Sequence, residues 1–345
     1  MSADGLPKDP AIPKVFAMRI TPNDDRLRIR GAVRAVVSET MLRVDRPIAD
    51  EGGLGADAPG VFVELVTDVA TLTVHLRRNG RHLRPDAMNS HMVLTSDGKV
   101  LDCGKIPDGV TAEYDWDVTL PRDQEPRTLR FYFPYGDAVD LLGISLPPGA
   151  RLLKPATTVP MIRWLACGDS ITQGFHATSA LASYPSLVGA AKNWETCNAG
   201  IGGRCIEAED GAALAGIPAD IVSVLLGFND YYHQRAPDDC QHKYTTILRA
   251  LRSGGSPRRP IVVITPLWSS HVQASDQCHL LAEYRHAIAT AALSITDPAL
   301  RIINGQSLIP PQSEFFTDGI HPNDDGFAIL ANNLARLLPD PPHSH

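Results

Sequence analysis

Residues 161–174, MIRWLACGDSITQG, decide how the second half of the chain folds. Residues 161–167 are a mostly apolar run, and Gly168, Asp169 and Ser170 follow it at once. An apolar run that stops at Gly, Asp and Ser is typical of a buried strand that ends in a tight turn. The stretch therefore predicts a core strand with a serine just beyond its carboxyl end.

Further strand-like runs follow and alternate with segments long enough for helices. They span residues 194–198, 221–227, 260–267 and 300–304. The third run of the series, 221–227, is almost wholly apolar, which is typical of a parallel strand covered on both faces. This alternation predicts an α/β domain with a doubly wound parallel sheet flanked by helices. In such sheets ligands bind outside the carboxyl ends of the strands.

The first half of the chain has the period of two that marks half-buried antiparallel strands. Apolar and polar residues alternate through Leu72, Val74 and Leu76, and again over 114–120 and 129–133. Turn signals occur at Asn79-Gly80, Asp97-Gly98 and Asp108-Gly109. Few segments have helical spacing, so this half is expected to be an all-β jelly roll or β-sandwich.

The length of 345 residues suits two domains better than one. Residues 147–160 contain four prolines and a glycine, a composition typical of a linker. We therefore expect a jelly-roll-like β-sandwich accessory domain over 1–150, a linker over 151–160 and an α/β catalytic domain over 161–340.

Composition excludes several classes of partner. A formal net charge of −7 makes nucleic acid an unsuitable ligand, because phosphate binding needs a clustered basic surface. No run reaches the roughly 18 apolar residues of a membrane span, and the N-terminus lacks the apolar core of an export signal. A cytoplasmic protein is expected, and its oligomeric state is left open. The scattered cysteines are expected to be reduced thiols; they are Cys103, Cys167, Cys197, Cys205, Cys240 and Cys278.

Chemically versatile residues follow several of the expected strands. Ser170 comes after the first, the glycine-rich loop 198–203 after the second and Asn229 after the third, while Asp318 and His321 precede the last helical segment. Because the carboxyl ends of parallel strands meet at one edge of the sheet, these groups are expected to lie together.

A serine, a histidine and an aspartate are the side chains that acyl transfer through a serine nucleophile requires. A serine hydroxyl becomes an effective nucleophile when an imidazole takes its proton, a role for His321. Asp318 would orient the imidazole and stabilise its protonated form. Gly319 permits the turn between them, and Asn323 is a candidate N-cap for the final helix. No Gly-x-Ser-x-Gly elbow is present.

At these segments the chain resembles the GDSL/SGNH hydrolases. The matching segments are Gly168-Asp169-Ser170, Gly203 in the second block, Asn229 in the third and Asp318-x-x-His321 in the last. The resemblance implies that Ser170 is the nucleophile and that its N–H, the Gly203 N–H and the Asn229 side chain form an oxyanion hole. Gly200 and Gly202 are the alternatives to Gly203. The mechanism implied needs no cofactor and no metal.

Other candidate residues lack a decisive pattern. His176, His233, His271 and His279 show no metal-ligand spacing along the chain, which argues against zinc. Tyr231, Tyr232 and Trp268 follow strand ends, and lining a substrate pocket or packing in the core suits each of them equally.

The two-domain layout narrows the expected substrate. It resembles that of SGNH-type carbohydrate esterases, whose N-terminal jelly roll packs near the active site; weaker similarity lies at 129–135 and 140–144. The leading hypothesis is a serine ester hydrolase that removes a small acyl group, with acetyl favoured, from a carbohydrate or similar alcohol through an acyl-enzyme. The alternatives are a lipase- or thioesterase-like hydrolase of longer acyl esters and an inactive glycan-binding protein.

Overall fold

A computed structural model describes most of the chain. The described residues are 18–45, 57–82, 91–107, 112–121, 125–156, 161–271 and 279–341. Among them no helix is long and apolar enough to cross a membrane.

The first half contains two antiparallel sheets. The strands are β1 Met18–Ile20, β2 Arg28–Arg30, β3 Arg34–Val37, β4 Leu42–Asp45, β5 Phe62–Thr67, β6 Thr71–His82, β7 His91–Ser96, β8 Lys99–Lys105, β9 Glu113–Thr119, β10 Arg127–Tyr132, β11 Asp137–Leu146 and β12 Leu152–Leu153. One sheet has the order β3-β4-β11-β6-β9, with β1 also paired to β11. The other has the order β12-β5-β10-β7-β8, with β2 also paired to β5.

The alternating residues of the two sheets form a shared hydrophobic core. Leu72, Val74 and Leu76 of β6 are buried and face the same cluster as Leu129 and Phe131 of β10. Burying one face of each sheet against the other removes apolar surface from water at about 25 cal/mol per Å². The predicted all-β sandwich is confirmed.

The turn signals had different outcomes. Asp97-Gly98 forms the turn between β7 and β8 as predicted. The prediction of a turn at Asn79-Gly80 is wrong, because both residues lie inside β6. The pairing of β6 with β11 has a register shift there, between Asp137 and Val139, and long-range pairing thus continues the strand through a local turn signal. Residues 108–111 lie outside the described part of the chain.

The second half is the predicted parallel sheet flanked by helices. Its strands are β13 Arg163–Gly168, β14 Glu195–Gly200, β15 Ile221–Leu225, β16 Ile261–Ile264 and β17 Leu300–Ile303, and its helices are α1 Ser170–Gln173, α2 Tyr184–Lys192, α3 Asp210–Ala215, α4 Phe228–Tyr232, α5 Pro237–Ser253, α6 Leu281–Leu293 and α7 Asp324–Leu337. The strands pair in parallel in the order β14-β13-β15-β16-β17. Short 3-10 turns occur at Gly305–Ser307 and Ser313–Phe315.

Successive residues of β13 point to opposite faces of this sheet. Trp164 belongs to the cluster covered by α2 and α7, and Leu165 to the cluster covered by α3, α5 and α6. A strand covered on both faces needs apolar residues at every position, which explains the continuous runs in the sequence.

The two halves pack against each other. Tyr135 is 1% exposed in the hydrophobic cluster that also holds Trp164, and its hydroxyl donates to the carbonyl of Ala177. Arg30 makes an ion pair of 3.0 Å with Glu195. The strand β12 lies in the segment expected to be the linker and pairs with β5. The domain limits 1–150, 151–160 and 161–340 stay a prediction.

The cysteines of the described residues are reduced. Cys103, Cys167, Cys197, Cys205 and Cys240 are free thiols, and all but Cys103 are buried. Cys278 lies outside the described residues.

Candidate functional site

Ser170 lies at the sharp junction between β13 and α1. A Cβ on Gly168 would come within 1.9 Å of Thr172 Oγ1 and 2.7 Å of the Leu225 carbonyl, so the last strand residue must be glycine for the turn to close. Asp169 then caps α1, because its Oδ1 accepts from the Ile171 N–H at 3.0 Å. The serine thereby becomes the first residue of the helix, 9% exposed at the carboxyl end of the strand.

A chain of hydrogen bonds joins Ser170, His321 and Asp318. Ser170 Oγ lies 2.8 Å from His321 Nε2, and His321 Nδ1 lies 2.7 Å from Asp318 Oδ2. A carboxylate only accepts, so His321 carries its proton on Nδ1 and turns the lone pair of Nε2 toward the serine hydroxyl. An imidazole placed in this way can take the hydroxyl proton. The structure thus brings these three predicted residues together.

Local backbone contacts hold the loop that carries Asp318 and His321. Gly319 has φ +81°, a left-handed conformation that lets the chain turn back on itself. Asp318 Oδ1 accepts from the N–H groups of Ile320 at 3.0 Å and His321 at 2.8 Å. Burial raises the pKa of Asp318, but its hydrogen bonds with His321 outweigh this and hold the pKa well below its usual range. The carboxylate therefore stays charged.

The predicted N-cap of the last helix is confirmed. Asn323 Oδ1 accepts from the Gly326 N–H at 3.0 Å at the start of α7. The cap fixes the helix directly after His321.

Asn229 and the loop after β14 face the serine from the neighbouring strands. Asn229 Nδ2 donates to the Arg204 carbonyl at 3.1 Å and lies 3.5 Å from Asp169 Oδ2. The Gly200 N–H donates to Asn198 Oδ1 at 2.9 Å, and the Gly202 N–H donates to Gln173 Oε1 at 2.8 Å. Since both N–H groups are engaged, these bonds favour Gly203 over the two alternatives.

Two buried carboxylates support this site. The sequence analysis did not predict a functional role for either of them. Burial raises the pKa of Asp169 to about 6 despite its hydrogen bond from Ile171. Asp230 is fully buried and accepts from the Ile206 N–H at 3.1 Å, and burial raises its pKa as well. Asp230 therefore ties the segment that carries Asn229 to the loop after β14. Its place directly after Asn229 is the only sequence signal for it.

A buried glutamine links the site to the first half of the chain. Gln173 Oε1 accepts from the Gly202 N–H at 2.8 Å, and its Nε2 donates to Asp57 Oδ2 at 2.5 Å. Both side chains are fully buried. The sequence offered no signal for this contact, because Asp57 is remote in the chain and belongs to no motif.

Aromatic side chains surround His321. The ring of Phe175 lies 4.8 Å and that of His176 5.6 Å from it, centroid to centroid. His176 Nε2 is also 3.5 Å from Asp318 Oδ2. His176, Asp318 and His321 offer potential metal-ligand atoms that lie within 4.8 Å of one another. Spacing along the sequence could not show this cluster, because His176 and Asp318 come from opposite ends of the α/β half.

The other aromatic candidates divide between core and surface. Tyr231 is 4% exposed, and its hydroxyl donates to the His271 carbonyl at 3.1 Å. Trp268 packs on Phe316 at 5.2 Å. Tyr232 is 48% exposed. Core packing therefore accounts for Tyr231 and for much of Trp268.

Solved structures with both halves resemble this chain along most of its length. The salicylyl-acyltransferase SsfX3 from a tetracycline biosynthetic pathway is 20% identical with a TM-score of 0.76, covering 92% of this chain and 96% of that one. A family two carbohydrate esterase from Cellvibrio japonicus is 16% identical with a TM-score of 0.67, covering 93% and 96%. The acetyl xylan esterase Est2A from Butyrivibrio proteoclasticus is 14% identical with a TM-score of 0.63, covering 90% and 97%. At these identities the likeness shows a shared fold.

The comparison of sequences identifies the α/β half. No curated protein matches the chain significantly. Residues 166–329, however, match the model of the GDSL-like Lipase/Acylhydrolase family. The matched segment runs from β13 into α7 and contains Ser170, Gly203, Asn229, Asp318 and His321. Residues 166–329 therefore form a GDSL-like lipase/acylhydrolase domain, which makes the chain an ester hydrolase.

Proposed function

We propose that the chain removes a small acyl group, with acetyl favoured, from a carbohydrate or similar alcohol through an acyl-enzyme on Ser170. The observation that carries the proposal is the hydrogen-bonded chain from Ser170 through His321 to Asp318. It lies at the carboxyl edge of the parallel sheet, where a substrate can reach the serine.

The first half-reaction forms the acyl-enzyme. His321 Nε2 takes the hydroxyl proton while Ser170 Oγ bonds to the ester carbonyl carbon. The negative charge that develops on the carbonyl oxygen would be stabilised by the N–H groups of Ser170 and Gly203 and by Asn229 Nδ2, which would exchange its long 3.5 Å hydrogen bond to Asp169 Oδ2 for one to the substrate. When the carbon–oxygen bond to the alcohol breaks, His321 returns the proton to the leaving alkoxide.

The second half-reaction releases the acid. Water gives a proton to His321 Nε2 and bonds to the acyl carbon, and the bond to Ser170 Oγ breaks. His321 then protonates the serine oxygen, which restores the starting state. Asp318 remains charged throughout and stabilises the imidazolium formed in each half-reaction.

The choice of substrate rests on the architecture of the whole chain. Two of the solved structures described above are a carbohydrate esterase and an acetyl xylan esterase, and each shares both halves of the fold.

The alternatives each have a distinguishing property. A lipase- or thioesterase-like enzyme would prefer longer acyl chains. An inactive glycan-binding protein would not need the contact between Ser170 and His321, and the 2.8 Å distance between their side chains argues against it.

Labelling and a substrate panel test the proposal together. A fluorophosphonate should label the wild type but not the Ser170→Ala variant, which should keep its fold by circular dichroism and lose turnover. Among p-nitrophenyl esters, acetate should exceed octanoate in kcat/KM, and acetylated saccharides should release acetate. Preference for octanoate would overturn the acetyl assignment. Near wild-type turnover by folded Ser170→Ala would overturn the choice of nucleophile.

A further inference from the structure

A second imidazole lies beside the carboxylate of the proposed triad. Asp318 Oδ2 is 2.7 Å from His321 Nδ1 and 3.5 Å from His176 Nε2. Two imidazole nitrogens and a carboxylate oxygen are a donor set that Zn²⁺ binds in proteins. We propose that His176, Asp318 and His321 form an inhibitory site for a divalent transition-metal ion such as Zn²⁺. The inhibition rests on the proposed function, whereas the binding does not.

The distances suit a zinc ion after a small adjustment. Metal–ligand bonds of about 2.0–2.2 Å place two ligands of a tetrahedral ion roughly 3.3 Å apart. The 3.5 Å between His176 Nε2 and Asp318 Oδ2 is already close to this value. The 2.7 Å between Asp318 Oδ2 and His321 Nδ1 must widen, so the ion takes the place of the hydrogen bond between them.

The carboxylate is oriented for a ligand on one oxygen. Asp318 Oδ1 is held by the N–H groups of Ile320 and His321, whereas Oδ2 faces the two imidazoles. The Asp318 side chain is 39% exposed, so an ion can approach from solvent. The imidazoles of His176 and His321 are 18% and 13% exposed and would shield its other side. A solvent molecule can complete the coordination shell.

The backbone holds His176 in place for this contact. Its φ is +68°, in the left-handed region that residues other than glycine adopt only occasionally, asparagine among the more tolerant. Its ring packs edge-on against Phe175 at 5.3 Å. Asparagine tolerates this backbone conformation and is too short to replace the imidazole as a ligand, so His176→Asn is the variant of choice.

Metal binding at this point would block the proposed base by changing its tautomer. When the ion takes the lone pair of His321 Nδ1, the imidazole proton resides on Nε2. Nε2 then donates to Ser170 Oγ and has no lone pair with which to accept the serine proton. The ion needs no contact with substrate to stop the reaction, and its removal by a chelator restores the original tautomer.

Calorimetry with Zn²⁺ tests the binding without any need for turnover. Ser170→Ala and the double variant Ser170→Ala/His176→Asn share every other histidine, so their difference isolates His176. Loss of an outer partner of a metal ligand typically costs about 10–100-fold in affinity, and loss of a ligand should cost at least as much. Identical zinc isotherms for the two proteins would overturn the site.

Inhibition is tested with an active ester, each protein being compared with its own metal-free rate. ZnCl₂ should inhibit the wild type, and EDTA should reverse the inhibition. His176→Asn should raise the ZnCl₂ concentration needed for half-inhibition about tenfold or more. His279→Asn is the matched control, because His279, which lies exposed just before α6, is also beside a carboxylate, 3.2 Å from Glu283. Coincident inhibition curves for wild type and His176→Asn would overturn the inhibitory role. If no ester is hydrolysed, the proposed function fails while calorimetry still decides the metal site.

Discussion

Asp169 is a buried carboxylate beside Ser170, the proposed nucleophile. It is 2% exposed, and Oδ2 lies 3.5 Å from the Asn229 amide nitrogen while Oδ1 caps α1. Burial raises its pKa from 3.8 to about 6. A carboxylate kept here at neutral pH costs folding free energy, and its contacts with Ile171 and Asn229 give a reason for its presence: it orients both the first turn of the helix and the amide.

The raised pKa of Asp169 makes the stability of the protein depend on pH in a known direction. The folded chain binds this proton more tightly than the unfolded chain, so above pH 6 the folded state carries a penalty that disappears as the pH falls toward 4. A shift from 3.8 to about 6 corresponds to about 3 kcal/mol at 1.36 kcal/mol per pKa unit. Asp169→Asn, which can still cap α1, should raise the free energy of unfolding at pH 8 and leave it nearly unchanged at pH 4. Urea titrations at both values measure this; a gain independent of pH would contradict it.

Asn229 carries a prediction for the rate of reaction. Loss of one oxyanion donor typically lowers kcat by about 10²–10³. Asn229→Ala should therefore lower kcat on a p-nitrophenyl ester by this amount while KM changes little, because the donor acts on charge that develops in the transition state. Asn333→Ala is a suitable control, because Asn333 lies on α7, away from the serine, and its side chain donates to the Leu308 carbonyl. An unchanged kcat for Asn229→Ala would remove the amide from the oxyanion hole.

The junction between β13 and α1 is the element that aims the serine. Its geometry depends on close contact between the strand end, the first helical turn and the neighbouring strand β15. Gly168 meets Thr172 and Leu225 there, at distances that leave no room for a methyl group. Packing thus requires the glycine of the Gly-Asp-Ser block.

Gly168→Ala tests the junction. Overpacking of this kind typically costs about 1–3 kcal/mol, so we expect a lower Tm together with a loss of activity as Ser170 moves. Gly216→Ala is the matched control, because Gly216 ends α3 with φ −73° and a Cβ there would find its nearest neighbour at 3.6 Å. Equal thermal stability of the two variants would show that the junction relaxes without cost.

At the scale of the whole molecule, the β-rich half supports the site of the α/β half. Asp57 binds Gln173, and Gln173 binds the Gly202 N–H in the loop that holds Gly203. These buried polar contacts hold the loop in place. They depend on the packing between the two halves, to which Tyr135 and the ion pair between Arg30 and Glu195 also contribute.

Asp57→Ala should impair the reaction from the other half of the chain. Small misplacements of a catalytic group can cost up to about 100-fold, so we expect kcat to fall by about tenfold or more with a smaller effect on KM. Asp25→Ala is the control in the same half, since Asp25 is 76% exposed and pairs with Lys154 at the surface. If both variants keep the wild-type kcat, the glutamine contact does not position the loop.

Features that depend on interactions between residues close in sequence could be predicted, whereas features that depend on long-range contacts could not. The strands β13–β17 and the residues Ser170, Asp318 and His321, which the structure brings together, could be identified because hydrophobic period and motif are local properties. Asn79-Gly80 misled because a long-range pairing with β11 overrode a local turn signal. The roles of Gly203 and Asn229 stay a prediction, although the bonds at Gly200 and Gly202 support the choice of glycine.

The sequence by itself determined the fold class, the ester chemistry and the edge of the sheet at which Ser170, Asn229 and His321 meet. It could do so because parallel strands bring their carboxyl ends together whatever their side-chain packing. Only the tertiary structure decided that His176 lies beside Asp318 and that Asp57 reaches Gln173. Such contacts join side chains remote in sequence, and they depend on how the layers and the two halves pack, which no local pattern records.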